Sequence, residues 1–100
     1  MANVAEPLVL PTPEQQTRTH DELEPGYLVV CWNDAVNLQD YVTHVFQQVF
    51  GWNRQKAHHH MRQVHEQGKS VLARESLEKA EFYVHQLQKY TLHATLEREA

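Results

Sequence analysis

The architecture of this chain is set by residues 27–51, YLVVCWNDAVNLQDYVTHVFQQVFG, where a hydrophobic run is followed by an amphipathic one. The run YLVVCW is rich in β-branched and aromatic residues, which is typical of a buried strand. After a short polar connection, apolar residues recur at steps of three and four, the spacing of one helix face: Leu38, Tyr41, Val42, Val45, Phe46, Val49 and Phe50. Asn37 is predicted to cap this helix and Gly51 to end it.

Four further elements are predicted downstream. A second helix begins after its cap Asn53 and ends at Gly68, and its inner face carries Ala57, Met61, Val64 and His65. Residues 70–74 (SVLAR) predict a strand, and residues 92–97 (LHATLE) predict a closing strand. Between them, Ser76 is predicted to cap a third helix with the apolar stripe Leu77, Ala80, Val84 and Leu87. The order β-α-α-β-α-β predicts an α+β fold, a small sandwich of helices packed on a mostly antiparallel three-stranded sheet.

The chain divides near residue 26. All four prolines lie in residues 1–26, together with five acidic residues and little apolar periodicity. This composition predicts a flexible N-terminal arm. Residues 27–100 are predicted to form a single core domain, since 100 residues suit about one domain.

Composition argues against several classes of function. The net charge is −4 with no basic cluster, which argues against nucleic acid as a partner. No long apolar run or signal peptide is evident, so we expect a cytoplasmic protein that does not contact a membrane. Glycine-rich phosphate loops are absent, and the single cysteine, Cys31, lies in an apolar strand without an adjacent base. The residues therefore indicate no enzyme and no cofactor.

Four of the eight histidines lie at positions 58, 59, 60 and 65. The three consecutive imidazoles point about 100 degrees apart around a helix, so they cannot converge on one ion, and no metal site is predicted. Solvated surface positions are expected for His58, His59 and His60. His65 follows Met61 and Val64 on the inner stripe, where it is either a core histidine bonded to a carbonyl or a functional group.

Four segments together resemble the ClpS adaptor family: NDAVNLQDYV (33–42), HHMRQVHEQGK (59–69), ESLEKAE (75–81) and LHATLE (92–97). The resemblance runs from Tyr27 to Glu99. It implies a binding protein, not an enzyme, that holds the free α-amino group and the bulky first side chain (Leu, Phe, Tyr or Trp) of N-degron proteins. It further implies delivery to a Clp AAA+ unfoldase of ClpA or ClpC type for degradation by ClpP. A flexible N-terminal arm is also implied.

The resemblance assigns roles residue by residue. Asn33 and Asp34 lie in the amine-binding loop and His65 completes that polar site, while Glu78 falls in the helix region that docks to the unfoldase. The side-chain pocket is matched by Asn37, Gln39, Val42, Met61, Val64 and Leu92. An ammonium has three donors and favours such amide, carboxylate and imidazole acceptors.

Two positions depart from the family pattern. Ala35 stands where a second aspartate is common, and Gln39 stands where methionine is common. These departures are expected to leave the amine-binding loop with fewer charged acceptors and the side-chain pocket with a more polar mouth. An alternative function is a protein-interaction domain that docks on an unfoldase without reading N-terminal residues.

Overall fold

The computed structural model describes residues 26–99, which form three strands and three helices. They are β1 (Tyr27–Trp32), α1 (Gln39–Phe50), α2 (Arg54–Gln67), β2 (Lys69–Glu75), α3 (Leu77–Lys89) and β3 (Ala94–Arg98). The predicted α+β class and the order β-α-α-β-α-β are confirmed. The predicted arm, except Gly26, lies outside the described residues. Within residues 26–99 no helix has both the length and the hydropathy needed to cross a membrane.

Strand β1 is the centre of the sheet. The strand order is β2-β1-β3, and β1 is antiparallel to both neighbours. The register between β1 and β2 shifts between Val29 and Val30, which pair with Ala73 and Val71, so Leu72 is the extra residue of a bulge. Leu72 is nevertheless buried, and it joins Val29 and Cys31 in the core.

The core lies between this face of the sheet and the three helices. Each helix contributes residues that are at most 9% exposed: Val42, Val45 and Phe46 from α1, Ala57, Met61 and Val64 from α2, and Ala80, Val84 and Leu87 from α3. These positions lie on the apolar stripes predicted from the sequence. The predicted inward positions of Leu38 and His65 are wrong, because Leu38 is 77% exposed and His65 is also exposed.

Helix ends follow the sequence in part. Gly51 and Gly68 end α1 and α2 with φ of 70° and 91°, the left-handed conformation that favours glycine. Asn53 caps α2, since its Oδ1 accepts a hydrogen bond from Lys56 N–H at 2.8 Å. Ser76 occupies the cap position of α3 without a side-chain hydrogen bond.

One predicted cap is wrong. Leu38, not Asn37, occupies the N-cap position of α1, and its side chain makes no capping hydrogen bond. The strand bounds also shift: β2 begins at Lys69 and ends at Glu75, and β3 begins at Ala94, two residues after Leu92.

An aromatic cluster joins α1 to α2. The Trp52 ring stacks with both Phe50 and His60, with centroids 4.6 Å apart in both pairs. His60 Nδ1 lies 2.8 Å from Ser70 Oγ, and this hydroxyl donates to Gln63 Oε1 at 2.7 Å. A hydroxyl has one hydrogen to donate, so His60 Nδ1–H must be the donor to Ser70. His60 is half-buried in this cluster, which corrects the expectation of a solvated position. His58 and His59 are exposed, as expected.

Replacing His60 with alanine is expected to lower the free energy of unfolding by about 1–3 kcal/mol, through loss of the ring stack and of one hydrogen bond. His58→Ala is the matched control, because His58 is an exposed histidine two residues earlier in the same helix, and it should change stability by less than about 0.5 kcal/mol. Urea unfolding of the two variants measures both values. Equal losses would contradict the structural role of His60.

The same pair of variants tests a pH effect. Burial, then His59 and Lys56, lower the pKa of His60 below its ordinary value of 6.5. Below about pH 6.5 the unfolded state therefore binds more protons than the folded state, and stability falls as the pH falls. We expect His60→Ala to lose this part of the acid destabilisation while His58→Ala retains it. Identical pH profiles for both variants would contradict the prediction.

Candidate functional site

The loop between β1 and α1 is fixed at its start by backbone hydrogen bonds on both sides. Trp32 N–H donates to the carbonyl of His93 at 2.9 Å, and Asn33 N–H donates to the carbonyl of Gly68 at 2.9 Å. The first bond reaches the residue before β3, and the second reaches the end of α2. The loop at residues 33–37 therefore leaves the sheet from a rigid base.

The carboxylate of Asp34 is oriented by its own loop. Its Oδ1 accepts from Val36 N–H at 2.8 Å, and its Oδ2 accepts from Asn37 Nδ2 at 3.3 Å. A carboxylate has about four acceptor positions, so both oxygens can still accept from a further donor. Asp34 thus combines a fixed orientation with capacity for a ligand.

Asn37 connects the loop to the other side of the site. Its Nδ2 donates to the carbonyl of Thr91 at 3.0 Å as well as to Asp34. Thr91 has a φ of 67° in the turn that leads into Leu92. The asparagine was predicted as a helix cap, but its amide instead ties the loop to this turn.

The loop, the two helices α1 and α2 and the turn before β3 enclose one cavity of about 360 Å³. All of the side chains to which the resemblance assigns substrate binding line it: Asn33, Asp34, Asn37, Gln39, Val42, Met61, Val64, His65 and Leu92. Val42, Met61, Val64 and Leu92 are each at most 9% exposed and form its apolar depth. Asn33, Gln39 and His65 are exposed and lie towards the solvent. An apolar cavity with a few polar groups at one side is the usual form of a small-ligand site.

His65 and Asn33 bring acceptors without a partner to this cavity. Within residues 26–99 neither side chain makes a hydrogen bond. His65 belongs to the last turn of α2, and its exposure excludes the alternative of a core histidine bonded to a carbonyl. Both side chains can therefore bind a ligand.

Cys31 also lines the cavity, as a buried thiol. Burial, with a smaller contribution from the Asp34 carboxylate, raises the pKa of its thiol to about 12. A nucleophilic cysteine needs a thiolate, so this thiol is a small apolar wall residue.

Four further residues of the cavity wall were not predicted as site residues: Trp32, Ala35, Leu38 and His93. Each is next in sequence to a predicted site residue, and this adjacency is the signal that could have identified it. Leu38 fits the apolar period of α1, which predicts a position in the helix core. The sequence around Trp32 predicts only a strand residue, and no motif distinguishes His93.

Glu78 lies away from the cavity, exposed in the first turn of α3. No residue of α3 lines the cavity. Among residues 26–99 no group of three or more histidine, cysteine or acidic side chains is arranged to hold a metal ion.

Comparison with known proteins identifies the family. The model of the family described as ATP-dependent Clp protease adaptor protein ClpS matches residues 22–96. The ATP-dependent Clp protease adapter protein ClpS of Corynebacterium jeikeium is 39% identical over 98 residues, which cover 98% of this chain and 97% of the relative. The protein of the same description from Rhodococcus opacus is 35% identical over 96% of this chain and 86% of its own.

A solved structure shares the fold. Agrobacterium tumefaciens ClpS2 bound to L-phenylalaninamide superposes with a TM-score of 0.70 and 25% identity, and covers 75% of this chain and 98% of its own. The family match spans about three quarters of the chain, and it includes the loop, both helices that line the cavity and Leu92. This chain belongs to the ClpS family of ATP-dependent Clp protease adaptors.

Proposed function

We propose that this adaptor binds the free α-amino group and the large apolar first side chain (Leu, Phe, Tyr or Trp) of N-degron proteins. It then delivers them to a Clp AAA+ unfoldase, of ClpC or ClpA type, for degradation by ClpP. The observation that carries the proposal is the cavity in which Asn33, Asp34 and His65 lie beside an apolar wall. The bound phenylalaninamide of the Agrobacterium relative has both a free amine and an aromatic side chain, which supports the same ligand class here.

The amine is recognised by the polar side of the cavity. A terminal ammonium offers three donors, and Asn33, Asp34 and His65 offer an amide oxygen, a carboxylate and an imidazole nitrogen as acceptors. An internal peptide nitrogen offers only one hydrogen and no charge. The polar side therefore selects chain termini over internal segments.

The first side chain occupies the apolar depth formed by Val42, Met61, Val64 and Leu92. Burying a large apolar side chain there contributes about 1.5–3 kcal/mol to binding. Methionine adapts its shape to different neighbours, so Met61 lets one pocket accept aliphatic and aromatic residues. Gln39 makes the mouth more polar than an apolar side chain would.

The remaining roles follow from the adaptor function. Nothing in the cavity performs chemistry in this proposal: the protein carries substrates, works in the cytoplasm and needs no cofactor. The exposed Glu78 on α3 belongs to the surface that docks to the unfoldase, and the arm at residues 1–26 acts in delivery. The alternative, an unfoldase-docking domain that does not read N-terminal residues, predicts no difference between free and blocked peptides.

Peptides that begin with Phe, Leu, Tyr or Trp are expected to bind, and the same peptides acetylated at the N-terminus are not, because acetylation removes the charge and two donors. Fluorescence anisotropy with labelled peptides measures the difference, and a peptide that begins with Ser is the control for the side-chain pocket. Equal affinity for the free and acetylated forms would rule out recognition of the amine.

Replacing Asp34 with Asn or His65 with Ala is expected to weaken binding of a Phe-first peptide by roughly tenfold or more, since each loses a charge-assisted hydrogen bond. His58→Ala is the matched control, because His58 is an exposed imidazole of the same helix that does not line the cavity. The same anisotropy titration, with folding checked by circular dichroism, gives the affinities. A His65 variant that binds as tightly as the His58 variant would remove His65 from the amine site.

Deleting residues 1–25 is expected to leave peptide affinity unchanged, because every cavity residue lies at or after Cys31. Delivery should fall, because the arm acts after the substrate is bound. The measurements are peptide titration and degradation of an N-degron reporter by the reconstituted unfoldase and peptidase. Unchanged degradation would contradict the role of the arm.

A further inference from the structure

Asn37 lines the cavity, but the hydrogens of its side-chain amide are already used inside the protein. Its Nδ2 donates to Asp34 Oδ2 at 3.3 Å and to the carbonyl of Thr91 at 3.0 Å. An amide nitrogen has two hydrogens, so these two bonds occupy both. A terminal ammonium is itself a donor, and this nitrogen therefore cannot bind it.

The bond to Asp34 restrains the carboxylate of the proposed amine site. Asp34 Oδ1 accepts from Val36 N–H within the loop at 2.8 Å, whereas among residues 26–99 only Asn37 donates to Oδ2. Rotation about the last side-chain bond of an aspartate is soft, so a carboxylate held at one oxygen can turn. Asn37 is therefore the contact that holds the second oxygen in place.

The bond to Thr91 connects this carboxylate to α3. Thr91 has a φ of 67°, in the left-handed region that β-branched residues rarely adopt. Its backbone is held from the end of α3, because Thr91 N–H donates to the carbonyl of Gln88 at 2.9 Å. Through Asn37, the Asp34 carboxylate is thus bonded to a turn on the opposite side of the cavity, and not only to its own exposed loop.

We propose that Asn37 is a positioning residue for amine recognition: it acts through Asp34, whose carboxylate it fixes relative to α3, and it does not bind the substrate itself. The inference rests on the proposed function, since that function puts the substrate amine at Asp34. It differs from the side-chain contact that the family resemblance implies for Asn37. The physical reason is preorganisation, because an acceptor that is already oriented loses less freedom when the ammonium arrives.

A double-mutant cycle with a Phe-first peptide tests whether Asn37 acts through Asp34. In the otherwise wild-type protein, Asn37→Ala is expected to weaken binding about three- to tenfold, the range of one hydrogen bond. In the Asp34→Ala background the same replacement should change affinity by less than about twofold, because no carboxylate is left to orient. Losses that multiply in the double variant would show that Asn37 contacts the substrate independently of Asp34, and would overturn the inference.

Tyr41→Phe is the matched control. The Tyr41 hydroxyl donates to the carbonyl of Tyr90 at 2.7 Å, so it bonds α1 to the same turn, but Tyr41 does not line the cavity and makes no hydrogen bond to Asp34. This variant should bind the peptide within about twofold of wild type. A loss equal to that of Asn37→Ala would place the effect in the turn and overturn the role of Asn37.

A conservative variant tests the chemistry of the contact. Asn37→Gln keeps an amide nitrogen with two hydrogens, so it should recover part of the affinity that Asn37→Ala loses. Circular dichroism and urea unfolding show whether each variant is folded. If Asn37→Ala does not fold, Asn37→Ser takes its place in the cycle, because a hydroxyl has one hydrogen and can serve only one of the two acceptors.

The outcomes separate this inference from the proposed function. If a Phe-first peptide binds wild type no better than a Ser-first or an acetylated peptide, the proposed function fails and the role of Asn37 fails with it. If selection of the amine and of the first side chain holds but Asn37→Ala keeps the wild-type affinity, only the positioning role is overturned.

Discussion

The site depends on the position of β1 at the centre of the sheet. Its last residue and the residue after it are bonded through their backbone N–H groups to His93 and Gly68, the residues that lead into β3 and end α2. Through these two bonds, one strand end sets the positions of the loop at residues 33–37, the end of α2 and the turn that carries Leu92. Three segments far apart in the sequence are thereby brought to one cavity. A change in the register of either sheet pairing would separate them.

Much of the fold could be predicted because its signals are local. The apolar period of α1, the unbroken strand β1 and the left-handed glycines 51 and 68 each need only a few neighbouring residues to be recognised. The prediction errors at Leu38 and Asn37 have non-local causes. Leu38 fits the apolar period of α1, yet it precedes the first turn at the cavity mouth, where 77% of it remains exposed. Asn37 has the chemistry of a cap, but Thr91, on a distant turn, accepts its hydrogen bond.

The composition of the cavity could be predicted less well than the fold, and its role came from the resemblance to a family. Periodicity alone left His65 as either core or ligand-binding, and it put the residue on the inner stripe. The structure excludes the core position, because His65 lies in the last turn of α2 with its side chain exposed, next to the buried Val64. Likewise, nothing local in HHH distinguishes His60 from its neighbours. Its burial depends on Trp52 and Ser70, which come from the segments on either side of α2.

A site of this kind requires polar acceptors that stay in place while an apolar surface stays open. Preorganised groups bind more tightly because less freedom is lost when the ligand arrives. Asp34 meets this requirement through two bonds from its own loop, and Asn37 extends the restraint to Thr91. The apolar wall is continuous with the core, because Val42, Met61, Val64 and Leu92 all belong to the core cluster. Cys31 completes that wall as a neutral thiol, since a pKa of about 12 keeps a second negative charge away from Asp34.

With Ala35 in the loop, Asp34 supplies the one carboxylate that lines the cavity. The proposed selectivity for a charged amine therefore depends on keeping that single carboxylate oriented.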